Sequence, residues 1–370
     1  MQLAPEGVHR RKQLLGKHMK ALGNIARIQV TNEHLMMLLS LYESKGKSHY
    51  HDDLFQRDVQ AFDRKALEAD VKAIAKRLDG DMTDARIRLF AKRDPVPRNN
   101  TEILLGNIKS ALVLLRRRPQ DFELIPNEIA DLAKVLSKDL EPIRFRTIQV
   151  TDENAGIMPK KTRSSRDDLD ELMTLFHKLK RSGQYELTQL ITNFYVDVLN
   201  MDIMDRENTL IADIILYALL FKYFPVFRYV PFFPVFNAEN TAWEHAVVSA
   251  RYYWAEGFAQ TDMLSRIIVG MLNRSYDTVA RMAHEYAFEK DLNKSDNIEN
   301  TVMKLEELFT KEDIRKRHPN VSDATIDRTL KRLKDEDKIR PIGRGRSAKW
   351  QRTIPGSSKI GVRQMSLFDE

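Results

Sequence analysis

The sequence predicts a mainly α-helical protein with a small β-hairpin in its middle and a compact helix-and-hairpin module near its C-terminal end. Three observations carry that expectation. Apolar residues recur at helical spacing through most of residues 64–290. Residues 144–151 alternate as a strand does, with Phe145, Thr147, Gln149 and Thr151 set against Arg146, Ile148 and Val150. Finally, Gly343-Arg344-Gly345-Arg346 separates two short β-prone runs at 339–342 and 348–352.

Composition sets the outer bounds. The 370 residues are 42% hydrophobic and 31% charged, enough for two or three domains with a sizeable core. The chain has no cysteine, which excludes disulfides, thiol catalysis and thiolate metal sites and suits a reducing, cytoplasmic setting. Residues 1–20 are basic but lack an apolar stretch followed by a small-residue cleavage site, so they do not read as a secretory signal. Residues 209–236 are the greasiest part, yet Asp213, Lys222, Arg228 and three prolines interrupt them short of membrane-spanning length, which predicts a buried core helix.

Taken in order, residues 1–76 form an N-terminal helical region, with Leu35, Leu38, Leu39 and Tyr42 marking its apolar stripe before a break at 45–51. The cluster His49-Tyr50-His51-Asp52-Asp53 has poor metal-ligand spacing, because helix residues two apart point away from each other. No metal and no cofactor are expected. Helices follow at 64–78, 83–92, 101–117 and 127–136, then the extended segment, then a polar loop at 154–165. Long helical patterns at 166–181, 185–200, 208–224, 238–258 and 261–290 complete a domain over 77–290, with 291–296 as a linker.

The module at 297–353 reads as helices over 297–308, 310–317 and 322–338, followed by the two strands, and Ser322 is the expected cap of the third helix. Val321, Ile326, Leu330 and Leu333 share one side of that helix, leaving Thr325, Arg328, Lys331 and Arg332 toward solvent. Arg344 and Arg346 sit at the flexible tip, able to approach a phosphate backbone. The pattern resembles a winged helix-turn-helix. Residues 310–363 hold sixteen Lys or Arg against seven Asp or Glu, a formal +9, whereas the whole chain carries +7 and the remainder therefore −2. The positive field is confined to this end, and double-stranded DNA is the expected partner. Asp323 and Asp327 on the same helix count against it.

The central domain resembles the Fic family of nucleotide-transferring proteins. The likeness lies in Thr83-Asp84-Ala85-Arg86 leading to Pro97-Arg98-Asn99-Asn100-Thr101-Glu102, in Asn107, in Asn127-Glu128-Ile129, in the strand at 145–150 and in the helical hairpin around Asp205. The resemblance implies a Fic-like helical domain whose β-hairpin is a flap positioning a target side chain. It also implies a His-Pro-Phe sequence after the helix at 185–200, then a glycine-asparagine-glycine-arginine anion loop. The histidine would act as general base, the loop amides would hold phosphates, and the arginine would offset charge on the transferred group.

Those residue types are missing. Aligning on Asp205 puts Met201 at the histidine, Glu207 at the asparagine and Thr209 at the arginine; matching Asn208 instead puts Asp202 at the histidine and Leu210 at the arginine. A thioether accepts no such proton, Glu207 would repel phosphate, and no glycine lies between Gly183 and Gly257. The degenerate motif comprises Met201, Asp202, Asp205, Arg206, Glu207 and Asn208, and no residue is assigned a catalytic role. An enzyme of altered chemistry would need Asp202 or Asp205 as base with Arg206 as clamp.

After residue 353, Pro355-Gly356-Ser357-Ser358 reads as a flexible linker within a tail spanning 354–370. Its Gln364-Met365-Ser366-Leu367-Phe368 resembles the bacterial sliding-clamp binding motif. Leu367 and Phe368 would bury apolar area in a cleft, with Gln364 and Met365 at its edge. The sequence therefore predicts a nucleoid-associated regulatory protein that contacts DNA and a bacterial sliding clamp. The alternatives are a nucleotidyltransferase with a non-standard site and a replication adaptor acting through the tail.

Overall fold

The computed structural model describes residues 20–78, 82–150, 161–291, 294–318, 321–343 and 349–353. They divide into two compact units, 1–281 and 282–370.

The first unit starts with a 3₁₀ turn, Leu22–Arg27, whose leading amides are capped from a distance: the Asp197 carboxylate accepts from Ala21 N and Leu22 N, both at 2.8 Å. Six helices follow: α1 (Asn32–Gly46), α2 (Ser48–Phe55), α3 (Val59–Ala75), α4 (Asp84–Lys92), α5 (Asn100–Arg117) and α6 (Pro126–Leu136). Thr31, Thr83 and Asn99 cap α1, α4 and α5 by accepting from amides inside the first turn. Strands β1 (Thr147–Val150) and β2 (Lys161–Ser164) pair antiparallel, Thr147 opposite Ser164. Then come α7 (Ser165–Ser182), α8 (Leu187–Met201), α9 (Asn208–Tyr223), α10 (Phe233–Ala238), α11 (Asn240–Tyr252) and α12 (Asp262–Asp291).

At the centre, α8 is buried without a break from Thr188 to Leu199 and α9 from Ile211 to Phe221. A helix apolar almost all round, as α9 is, belongs in a core, so most of residues 209–236 is interior, as their composition predicts. No helix among the described residues is long and apolar enough to cross a membrane. Tyr217, Phe221, Phe227, Phe232, Phe233, Phe236 and Trp243 form a chain of ring contacts around α9. One cation is buried among them: Arg116, 5% exposed, donates to Asp70, Asp63, Tyr217 and the Phe227 carbonyl.

Several sequence expectations are corrected. The apolar stripe of α1 is out of phase: Leu38, Leu41 and His34 are buried, while Leu35 and Leu39 stand 47% and 56% exposed and Tyr42 39%. The helix is rotated because α12 grips its other side, Asp262 and Ser265 approaching the His34 ring and Asn273 donating to Met37 O. The expected break at 45–51 is only a junction, since helix resumes at Ser48. The helix expected over 238–258 is shorter, α11 ending at Tyr252, and a further short helix, α10, precedes it where none was expected. Part of the expected polar loop at 154–165 is β2, recruited by pairing with β1 rather than by any apolar alternation of its own.

The second unit contains α13 (Lys294–Lys304), β3 (Leu308–Thr310), α14 (Lys311–Arg317), α15 (Asp323–Asp335), β4 (Ile339–Ile342) and β5 (Lys349–Arg352). The strands form one antiparallel sheet in the order β3-β5-β4. Strand β3 was not anticipated; helix was expected to 308, but it stops at Lys304 so that Phe309 can pair with Trp350. Thr310 and Asp313 form a capping box that starts α14, and Ser322 caps α15 as predicted. Ile298, Val302, Phe309, Ile314, Ile326, Leu330, Leu333 and Ile339 make a separate core, with Val321 packed against it. Residues 294–296, expected as linker, already belong to α13.

Candidate functional site

The residues that carry the sequence resemblance prove to be clasps. Arg86 meets Glu102 through two parallel bonds, Nε to Oε1 at 2.8 Å and Nη2 to Oε2 at 2.7 Å, and also donates to Val96 O. Arg98 N donates to the same carboxylate, whose backbone N–H is held by Asn99 Oδ1. This charge-assisted fork fixes the turn between α4 and α5 and holds the Glu102 carboxyl below its ordinary range. Asn107 Nδ2 donates to Leu136 O and Lys138 O, satisfying carbonyls at the end of α6. Asn127 Oδ1 accepts from Arg166 Nη2 at 2.6 Å.

The segment from Met201 to Asn208 forms a tight loop joining the two central helices. Asp202 ends α8 and Glu207 precedes α9, both left-handed at φ 45° and 55°. Between them Ile203 and Met204 are buried, and Met204 bridges to Phe145 just before the hairpin. Arg146 N donates to Ile203 O and Asp205 N to Arg144 O, while Ser165 Oγ donates to Ile203 O at 2.5 Å. The loop is thus stitched along the base of β1 and β2.

Four polar side chains in it are engaged locally. Asn208 closes the loop on itself, Oδ1 accepting from Met204 N at 2.8 Å and Nδ2 donating to Met204 O at 2.9 Å. Asp205 Oδ1 accepts from Arg144 N at 3.0 Å, Asp202 lies 3.6 Å from Arg146, and Arg206 pairs with Glu141. Asp202 and Asp205, the possible substitute bases, are therefore organising backbone and pairing with arginine. No side chain caps α9, and Glu207 puts a carboxylate where an anion would approach the helix start. Among the described residues no group of His, Asp and Glu could hold a metal, His49 to Asp53 included.

Two small concavities flank the start of α9. One, about 290 Å³, is lined by Thr101, Leu104, Leu140, Ile143, Arg206 and Glu207. The other, about 170 Å³, has Arg77, Thr209, Leu210, Asp213 and Phe233 in its wall. Burial pushes the Asp213 carboxyl up to about 6 despite Arg77 and the Tyr195 hydroxyl beside it. No spacing rule pointed to Asp213, because both partners come from elements distant in sequence.

In the second unit Arg328 and Lys331 are exposed on α15 and Thr325 is half-buried. Arg332, expected on the same open face, is instead caged by Glu299 at 2.7 Å, Glu336 at 3.2 Å and Asp296 at 3.8 Å. The reason is the approach of α13, whose carboxylates the sequence did not place. Lys311 pairs with Asp327 and Arg315 with Asp323, so the two acids that argued against a phosphate surface are neutralised within the unit. Arg344, Arg346, Gln364, Met365, Leu367 and Phe368 lie outside the described residues.

The sequence matches no protein-family model and no curated protein. The structure is similar to that of a Fic family protein from Desulfovibrio desulfuricans G20, with a TM-score of 0.52 at 10% identity, over 88% of this chain and 97% of that one. A Fic domain containing signaling protein from Bacteroides thetaiotaomicron VPI-5482 matches at TM-score 0.49 and 14% identity, over 66% of this chain and 98% of that one. The first likeness shows a mainly helical, Fic-like fold.

Proposed function

We propose that this protein is a DNA-binding regulator, in which a Fic-like helical unit without nucleotide-transfer chemistry serves as a platform and residues 297–353 act as a winged helix-turn-helix. The observation that carries the reading is the exposed side of α15. Ser322 caps this helix, its apolar side is sunk in the second unit's own core, and it presents Arg328 and Lys331 with no carboxylate partner among the described residues. A helix that follows a short helix and a turn, with Thr325 in its first turn and the cations Arg328 and Lys331 further along, is suited to the major groove. Thr325, Arg328 and Lys331 form the proposed contact surface, with Arg344 and Arg346 reaching the backbone; the cage around Arg332 gives that residue the task of holding α15 on α13.

Loss of transfer chemistry rests on the loop. Glu207 occupies a left-handed position where the Asp205 alignment places the family's asparagine, a residue far more tolerant of that geometry. The bend survives while its donors are gone. General-base loss alone costs about 10²–10⁴-fold in rate, and the phosphate clamp is missing as well. The tail 354–370 adds a proposed attachment to a bacterial sliding clamp through Gln364, Met365, Leu367 and Phe368.

The test is fluorescence anisotropy of the full chain on labelled duplexes. Binding should weaken steeply with salt, and Lys331→Ala should reduce the slope of log K against log salt by about 1. Arg344→Ala with Arg346→Ala should weaken all sequences alike, whereas Arg328→Ala should alter preference between them. Salt-insensitive binding, or none at low ionic strength, would remove the DNA reading.

A further inference from the structure

The groove between α5 and α6 has charge that changes sign along its length. Two cavities lie in it, about 630 and 300 Å³, and they share Leu114, Arg117 and Val135. Leu114 is 53% exposed, a large apolar side chain left at the joint of the two. Along α6, Glu128 and Asp131 stand in the first half; Lys134 in the second half and Lys138 just beyond the helix continue the same stripe at spacings of three and four. Asp131 and Lys134 are 69% and 77% exposed and pair with each other at 2.8 Å, an exposed i,i+3 contact worth little that a partner copy can exchange for its own. Glu128 to Lys138 spans about 15 Å at helical rise.

We propose that this face is the contact between two copies of the chain, related by a two-fold axis passing near Leu114 and the middle of the stripe, between Asp131 and Lys134. The charge pattern selects that occupant. When two such helices lie antiparallel across a two-fold axis, each residue meets its mirror position about the centre of the stripe. Lys138 then faces the partner's Glu128, and Lys134 the partner's Asp131, so both ends become complementary at once. A parallel arrangement would set like charges together.

Two further observations agree. Among the described residues no cation pairs with Glu128, although Arg117 and Arg118 line the same cavity, and burial first, then Asp131 and Glu123, push its carboxyl above the ordinary range. Helix-dipole preference favours acids early and bases late on α6, but it gives no reason for the exposed Leu114 between the cavities. Asn107, by bonding Leu136 O and Lys138 O, fixes the basic end of the stripe in place.

Sedimentation velocity of the full chain decides the matter. The wild type should show a monomer-dimer equilibrium that salt weakens. Lys134→Glu with Lys138→Glu should weaken it by about tenfold or more, and so should Glu128→Lys with Asp131→Lys. Mixing these two variants should restore a dimer containing one of each, a result that misfolding cannot produce. Leu114→Ser should weaken the dimer without changing charge. A monomeric wild type at low salt would overturn the proposal and leave the groove to a helix of another protein. A dimer indifferent to both charge variants, or no hetero-dimer on mixing them, would overturn it too.

Discussion

Replacing Arg116 by methionine should be among the most destabilising single changes in the first unit. The guanidinium is 5% exposed and donates to Asp70 Oδ2 at 3.2 Å, Asp63 Oδ1 at 3.1 Å, Tyr217 Oη at 3.0 Å and Phe227 O at 3.0 Å. Asp70 is fully buried and keeps only the backbone N–H groups of the Phe232–Phe233 turn once the arginine is gone. Removing one partner of a buried pair costs about 3–5 kcal/mol. At roughly 2–4 °C per kcal/mol, thermal unfolding followed by circular dichroism at pH 8 should shift down by about 6–20 °C. The sign with pH follows from Asp70, whose carboxyl is pushed up to about 7, burial outweighing Arg116 and the amides. A folded-state value above the unfolded one means that stability is lost as pH rises through the folded value. Without Arg116 that value climbs further and the loss extends to higher pH, so the deficit against wild type should be smaller at pH 5.5, where Asp70 is protonated in both. Adding Asp70→Asn to Arg116→Met should recover much of it, since Asn keeps the acceptor for Phe233 N and removes the orphaned charge. A cost below about 1 kcal/mol at pH 8, or an equal cost at both pH values, would refute the reasoning.

Two other outcomes are within reach of simple assays. Glu207→Gly should stabilise the first unit by about 1 kcal/mol, because a side chain at φ 55° costs about that much, and the measurement is the same thermal scan; a lower midpoint would mean that the Glu207 side chain has a favourable role. A peptide covering 361–370 should bind a bacterial sliding clamp in the micromolar range or weaker, since Leu367 and Phe368 each contribute about 1.5–3 kcal/mol before ordering costs; equal signals from this peptide and its doubly alanine-substituted form would return the motif to coincidence.

The residues that made the sequence recognisable are fold-keeping ones. Arg86, Glu102, Asn107 and Asn127 satisfy helix ends and turns, and an unpaired buried polar group costs stability regardless of function. The loop between α8 and α9, closed by Asn208 on Met204 and stitched to Arg144 and Arg146, needed tertiary proximity to be seen.

By itself the sequence determined the helices whose periodicity, caps and breakers agree, such as α5, expected over 101–117 after the prolines at 95 and 97, and α15 from Ser322, because those signals act within one turn of the chain. It determined also that most of residues 209–236 is interior and that positive charge gathers near the C-terminal end. Only tertiary structure decided the phase of α1, where α12 claims His34 and turns Leu35 and Leu39 outward. It alone paired the polar run Lys161–Ser164 as a strand and drew Glu299 onto Arg332. These outcomes depend on partners far away in the sequence, and local spacing holds no record of which residue arrives from a distance to satisfy a charge, an amide or an apolar face.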